Sequence, residues 1–489
     1  KDDYNTRIFM KYTRFIWGGI CLLLLGGTLV FILNSDYHEE ADLIRIRKRI
    51  CLHEDSLVIQ GFDFLMQNIS VSKMEGLLNK KEGDVYLLEK DMAHAVDVYT
   101  KNNLKWKVPF DVFCEYVLPP LVYDEEYICW RKVCYDKYAY IVERNKSTVE
   151  VCSAINADLM KGFVFSDSVK QIQNWSQFQK NKKGNCIQMS QMILYPLRAL
   201  GIPATIDYVI AWGDVNGAHV WNALYDNGKM IPFMGLEKVE NYDPFLIYEY
   251  TADATKSVYR DPPKVFRRTC SMNKEYADMA CRFPEKVKAV KLFNDLHFKD
   301  VTMEYFPAKD ILIERVTDKP DLCFLSVFNS NEWIPVAAGI SQKGKVLFEN
   351  MNTNLLYLFQ NSNNSFPFIL DDKGNMNILT ADDSNRTGFT IGRLCSREME
   401  FQKSWNKFTT AYFDGIARDI YRSSPVNDST YVLCTYINNV WQPIEEAVCH
   451  DEKLSFTGIP ENGLYILADR MNRIKSQCFT CLYGAVVFW

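Results

Sequence analysis

GNCIQMSQMILYPLRALGIPATIDYVIAWGDVNGAHVWNALYDNGKMIPFMGLE, residues 184–237, divides into a helix and a β-hairpin. Apolar residues at Ile187, Met189, Ile193, Leu194, Leu197 and Leu200 recur at helical spacing until Gly201 and Pro203 stop the run. Cys186 therefore sits at the N-terminus of the predicted helix. There the unpaired N–H groups and the positive end of the helix dipole favour thiolate over thiol, and the same N–H groups can donate to an oxyanion. Pro196 is expected to disturb the helix late in its course, well away from Cys186. Ala204 to Trp212 alternates and is β-rich, Gly213 to Gly217 reads as a turn, and Ala218 to Tyr225 reads as a second strand. Asp226-Asn227-Gly228-Lys229 closes it, Asn-Gly being a two-residue hairpin signal. On that strand His219, Trp221, Ala223 and Tyr225 share one face. A thiol at a helix N-terminus and an imidazole on an adjacent strand supply the nucleophile, base and N–H donors of acyl transfer. Taken singly, each has a plainer reading, as a buried cysteine and a satisfied core histidine.

At Gly184-Asn185-Cys186, at Leu197 to Ala204 (LRALGIPA) and at His219-Val220-Trp221-Asn222, the sequence resembles the transglutaminase-like superfamily. These are papain-like cysteine enzymes in which a helix-borne Cys precedes a strand-borne His and then an acidic residue. The 33 residues from Cys186 to His219 fit that order, whereas papain proper separates the pair by roughly 130 to 150. The resemblance covers about residues 150 to 270. It implies Cys186 as nucleophile and His219 as base, with Asn185, Trp212 and Trp221 as candidate cleft residues. The third member departs from the pattern, because Met234 stands where the superfamily usually has Asp. If Asn227-Gly228 makes a two-residue turn, Trp221 pairs with Met234 and His219 with Leu236, which puts Met234 diagonally beside His219. Glu237 is the nearest following acid and reaches that face only if a bulge at Gly235 shifts the phase by one residue; Asp243 stands behind it.

The resemblance implies an enzyme acting on amide bonds of peptide or glycopeptide substrates through a Cys186 thioester, with hydrolysis and transfer sharing the first step. The alternative, favoured by Met234, is a catalytically degenerate fold that binds a glycan or a protein in the cell envelope. No metal-ligand cluster or phosphate-cradling glycine loop is present to imply a cofactor. With 56 Lys plus Arg against 61 Asp plus Glu, nothing argues for binding a phosphate backbone, and nucleic acid is not an expected partner.

The fold expected is α+β: a papain-like core preceded by a helical region and followed by two tandem β-sandwich modules. Phe15 to Leu33 is an uncharged run preceded by Lys11 and Arg14 and followed by Asp36, Glu39, Glu40 and Asp42. It reads as a membrane anchor or signal segment with the rest of the chain on the outer side. Residues 38–150 read as a mostly helical lead-in, with Leu88, Met92, Val96 and Val98-Tyr99 at helical spacing and Pro119-Pro120 breaking any helix there. The catalytic domain is placed at 151–290. Leu325 to Phe359 aligns without gaps on Leu433 to Leu467 at a constant offset of 108, matching Phe328 with Tyr436 and Trp333 with Trp441. Two copies of one unit follow, placed at 296–395 and 396–489. Trp333 and Trp441 read as core, with glycan stacking as the functional alternative. The arrangement is similar to exported transglutaminase-like proteins of Bacteroides-type bacteria, which implies a cell-envelope location. Fifteen cysteines permit disulfides, but setting Cys21 and Cys186 aside leaves an odd number. The lone CxxC at Cys478 and Cys481, with Cys449 and His450 nearby, reads as a local disulfide or two thiols rather than a zinc site.

Overall fold

The computed structural model describes residues 55–69, 82–145, 147–166, 168–169, 171–248, 257–314, 319–396 and 424–489. The Phe15–Leu33 run and the start of the lead-in lie outside these. Among the described residues no helix is long and apolar enough to cross a membrane. Helix α1 (Ser56–Asn68) straddles the division of the chain after Phe62, and all that follows concerns the unit of residues 63–489.

The lead-in is helical in α2 (Glu82–Trp106) and α3 (Phe110–Tyr116), and Leu88, Met92, Val96 and Tyr99 are buried as their spacing predicts. Pro119-Pro120 ends helical structure, and the next helix takes up the freed carbonyls. Arg131 Nη2 donates to Leu118 O at 2.7 Å and to Pro119 O at 2.8 Å, and Trp130 Nε1 donates to Pro120 O at 2.8 Å. Then come α4 (Arg131–Arg144), α5 (Thr148–Leu159), the short strand β1 (Val164–Phe165), α6 (Trp175–Asn181), β2 (Lys183–Gly184) and α7 (Cys186–Ala199). Strands β3 (Ala204–Val209), β4 (His219–Asp226) and β5 (Lys229–Phe233) follow. A ribbon of β6 (Leu246–Tyr248) and β7 (Ser257–Tyr259) precedes β8 (Phe266–Arg268), helix α8 (Lys274–Arg282) and β9 (Phe298–Asp300). The sheet order is β5-β4-β3-β8-β9.

Residues 188–199 of α7 are all buried, which makes that helix the centre of the core. The Trp130 ring meets Tyr195 of α7 at 5.1 Å between centroids, and β9 completes the sheet. The core therefore extends beyond the expected 151–290 at both ends. Burial of Trp130 and Arg131 against α7 is a long-range packing event that periodicity does not register.

The first sandwich comprises β10 (Lys309–Glu314), β11 (Leu322–Asn329), β12 (Glu332–Ile340), β13 (Lys345–Met351), β14 (Leu355–Gln360), β15 (Ser365–Leu370) and β16 (Met376–Ile378). The second comprises β17 (Asp382–Ile391), β18 (Thr430–Ile437), β19 (Val440–Val448), β20 (Leu454–Glu461), β21 (Leu464–Ala468), β22 (Phe479–Leu482) and β23 (Ala485–Phe488). A sheet β12-β11-β14-β15-β16 faces the pair β10-β13, and β19-β18-β21-β22-β23 faces β17-β20 in the same topology. The register shifts between Leu325 and Ser326 in one copy and between Leu433 and Cys434 in the other, so even the bulge repeats. Leu325, Val346, Phe348, Tyr357 and Phe359 fill one core, and Leu433, Leu454, Phe456, Tyr465 and Leu467 fill the other. Because β17 pairs with β20, the boundary between the copies falls at residues 379–381 and not at the expected 395/396. Strand pairing, invisible in local pattern, decides it.

Trp333 and Trp441 are half-buried where the copies meet. Phe328 lies 5.2 Å from Trp333 and 5.9 Å from Trp441, while Tyr436 lies 4.9 Å from Trp441 and 5.7 Å from Trp333. Each ring thus meets its own partner and the counterpart of that partner, which is the reciprocity of a two-fold interface. The two tryptophans pack against the hydrophobic cluster between the copies. Cys478 and Cys481 are both buried, and the described cysteines form no disulfide among themselves. Cys478 faces the contact between the copies, whereas Cys481 faces the core of the second.

Candidate active site

Cys186 is half-buried and is the first residue of α7. The Asn185 side chain caps the helix, accepting from Ile187 N at 2.9 Å, while Gln188 Oε1 accepts from Asn185 N at 2.9 Å, a reciprocal capping box. Gln188 is itself held by a bond from Nε2 to Gln171 O at 3.1 Å. A Cβ on Gly184 would lie 2.3 Å from Gln188 Cβ, so only glycine lets Gln188 fold back over the helix start. At the far end Gly201, with φ +75, allows Gly201 N to donate to Arg198 O at 3.0 Å and Ile202 N to Leu197 O at 3.0 Å, a Schellman closure. Pro196 is accommodated within the helix.

His219 opens β4, which pairs antiparallel with β3 from Val209↔His219 to Ala204↔Leu224. The β4–β5 turn is the expected two-residue one, with Asp226 opposite Lys229 and positive φ at Asn227 (49) and Gly228 (84). Asn222, wholly buried, ties the strand to the helix: its Nδ2 donates to Ser190 O at 2.8 Å and Thr205 O at 3.2 Å, and its Oδ1 accepts from Gly235 N at 3.1 Å. The helix that presents Cys186 and the strand that presents His219 are thereby fixed to each other.

The imidazole lies 5.6 Å from the Trp221 ring and 6.2 Å from the Trp212 ring, both nearly parallel to it. Both indoles are fully buried, so they wall the imidazole in and do not face an open cleft. Although the residue as a whole is half-buried, removal of water from around the ring, with the Arg260 charge, pushes His219 down to about 3. Its Nε2 lies 2.9 Å from the Tyr242 hydroxyl. Burial holds that hydroxyl well above the usual tyrosine range, and the Glu237 carboxylate pushes it further. Beneath Trp221, Nε1 donates to Tyr305 Oη at 2.8 Å and Tyr305 donates to Asp207 Oδ2 at 2.6 Å. Asp207 is locked by Arg267, whose Nε and Nη2 donate at 2.8 and 2.7 Å.

The expected neighbours of His219 are elsewhere. Pairing of β4 with β5 ends at Asn222↔Phe233, and the chain then curls, with Met234 N donating to Lys238 O at 2.7 Å. Met234 is buried against α7, its sulfur 3.9 Å from Ser190 Oγ. Leu236 takes φ +59 and donates its N–H to Asn156 Oδ1, so it does not lie opposite His219. Glu237 is exposed on this turn, and Asp243 Oδ1 accepts from Phe245 N at 2.9 Å. Tyr242, which sequence reading did not single out, and Asn222, named there only within the motif that carries the resemblance, hold the places of consequence. No periodic signal marks Tyr242, since it follows an irregular turn.

Residues 129–234 match the family model described as the transglutaminase-like superfamily. Comparison with curated proteins found no match. Among solved structures, the chain is similar to a candidate cysteine protease from Cytophaga hutchinsonii at 19% identity, covering 22% of this chain and 37% of that one with a TM-score of 0.19. It is similar to the periplasmic domain of TgpA from Pseudomonas aeruginosa at 13% identity, covering 21% and 43% with a TM-score of 0.19. Red sea bream transglutaminase matches at 9% identity over 72% of each chain with a TM-score of 0.23. The chain thus spans less than half the length of the first two. Likenesses this distant add nothing to the family match, which covers residues 129–234 and takes in both the Cys186 and the His219 motifs of the transglutaminase-like superfamily.

Proposed function

We propose that the chain is a cysteine acyl-transfer enzyme acting on amide bonds of peptide or glycopeptide substrates. Cys186 attacks the carbonyl, His219 takes the thiol proton and returns it to the leaving amine, and the thioester passes to water or to an amine. The observation that carries this reading is that Asn222 ties the capped helix headed by Cys186 to the strand of His219, whose Nε2 is engaged by Tyr242. When Nε2 donates to the Tyr242 oxygen, Nδ1 keeps the lone pair that a base requires. Burial keeps both His219 and Tyr242 neutral. The charge asymmetry around Phe15–Leu33 supports anchoring in the cell envelope with the bulk of the chain on the periplasmic or extracellular side.

One observation favours a second reading, a degenerate fold that binds a glycan or protein: a phenol, not a carboxylate, meets His219 Nε2 and supplies no charge to stabilise an imidazolium. Treatment with p-nitrophenyl acetate separates the two. An enzyme releases a burst of p-nitrophenolate matched by one acetyl group on Cys186 in the mass spectrum, absent in Cys186→Ala and slowed roughly 10²- to 10⁴-fold in His219→Ala. No acetyl group on Cys186, or an unchanged rate in His219→Ala, overturns the enzyme reading. Added hydroxylamine then reports whether the thioester prefers an amine to water.

A further inference from the structure

We infer that the β11–β12 turn of the first sandwich is a latch on the loop that precedes His219, with Asn329 as the positioning residue. This rests on the reading of Cys186 and His219 as the reacting pair. The loop, residues 210–218, joins β3 to β4 and carries Trp212, whose ring lies against the imidazole. A bond from Trp212 N to Gly217 O at 3.1 Å spans it, and the segment after β7 holds it through Gly213 N to Asp261 O at 2.8 Å and Asp261 N to Asp214 Oδ1 at 2.9 Å. Asn329, 1% exposed, closes it from outside. The two N–H groups of its Nδ2 are shared among Trp212 O at 3.0 Å, Val215 O at 2.8 Å and Gly217 O at 3.0 Å, and its Oδ1 accepts from Gly217 N at 2.9 Å. Ser330 N donates to Asn216 Oδ1 at 2.8 Å beside it.

Packing reinforces the polar contacts. Ala211 is buried in the core of the first sandwich with Ile210 against it, and a Cβ on Gly213 would lie 2.7 Å from Leu355 Cδ1. From the second sandwich, Gln477 Nε2 donates to Asp214 O at 2.8 Å.

The duplication shows that this contact is specific to one copy. The turns are alike, with φ +54 and +67 at Ser330 and Asn331 and +51 and +67 at Asn438 and Asn439. The residue before the turn is Asn329 in one copy and Ile437 in the other, and Ile437 is 38% exposed. Neither the strand nor the turn needs an asparagine there; the loop does. Tyr242, Trp212, Trp221 and the Arg260 charge are among the groups facing His219, and release of Trp212 admits water to the ring without removing its hydrogen-bond partner.

The test is Asn329→Ile in the full chain, with His219 followed by NMR of labelled histidine and Cys186 by acylation with p-nitrophenyl acetate. A latch predicts a folded variant in which the His219 midpoint rises from about 3 toward 6.5 and acylation slows at least about tenfold. A folded variant with both unchanged overturns it. Should Asn329→Ile not fold, amide exchange in the unaltered protein decides: Gly217 N–H, bound to Asn329, exchanges as slowly as the strand amides of β11, and exchange at the rate of an open loop overturns the latch. Wild-type Cys186 that does not acylate sinks the enzyme reading while leaving the titration and exchange readouts to judge the latch.

Discussion

At the scale of single residues, the balance of the site turns on what meets His219. Net hydrogen bonds between neutral groups contribute about 0.5–1.5 kcal/mol, so Tyr242→Phe is expected to slow acylation of Cys186 by roughly 2- to 10-fold, measured as the burst rate. Loss of an orienting carboxylate costs about four powers of ten, and a fall of that size would show that Tyr242 handles a proton. The depressed His219 also has a consequence for stability. Because the folded imidazole titrates near 3 and the unfolded one at 6.5, the unfolded chain binds the extra proton in between. Stability from the neutral imidazole is fully present above 6.5 and is lost as pH falls toward 3. The free energy of unfolding should therefore fall more steeply over that window in the wild type than in His219→Gln, by denaturant titration at each pH. Equal slopes would mean that the ring is hydrated.

Among the elements, helix α7 was the most legible. Its apolar spacing, the Asn185 cap and the Gly201 stop all lie within its own sequence, and the structure uses each of them. The strands were legible up to Phe233 and illegible beyond it, because Asn156, far away in sequence, accepts the Leu236 N–H and bends the chain off the sheet. The cap supplies a contrast between two glycines. Gly184→Ala forces Gln188 away and should cost at least the roughly 0.5–2 kcal/mol of a lost N-cap while also slowing Cys186 acylation. Gly228→Ala, where a Cβ meets nothing within 4 Å, should cost only the strain of positive φ and leave acylation as it was. Denaturant midpoints and burst rates of the two variants check this.

For the whole molecule, the two sandwiches meet through Phe328, Trp333, Tyr436 and Trp441 in a reciprocal set. A double-mutant cycle on Phe328→Ala and Trp441→Ala should return a coupling of about 0.5–1.5 kcal/mol. A coupling near zero would show that the copies are not held by these rings. The duplication was visible as a constant offset of 108, and the mismatch of Asn329 with Ile437 was visible in the same alignment. Its meaning was not, since the partner of Asn329 is a loop more than a hundred residues earlier.

The sequence by itself determined that a cysteine heads a helix, that a histidine opens the following hairpin, and that two like β-units come after them. Those features arise from periodicity, capping and turn chemistry, which act between near neighbours. Only the tertiary structure decided that Tyr242 meets the imidazole, that Met234 turns away to α7, that β17 belongs to the second sandwich, and that the sandwiches reach the loop beside His219. Each of these depends on a hydrogen bond or packing contact between segments distant along the chain, and no local pattern encodes which distant group will fill a given place.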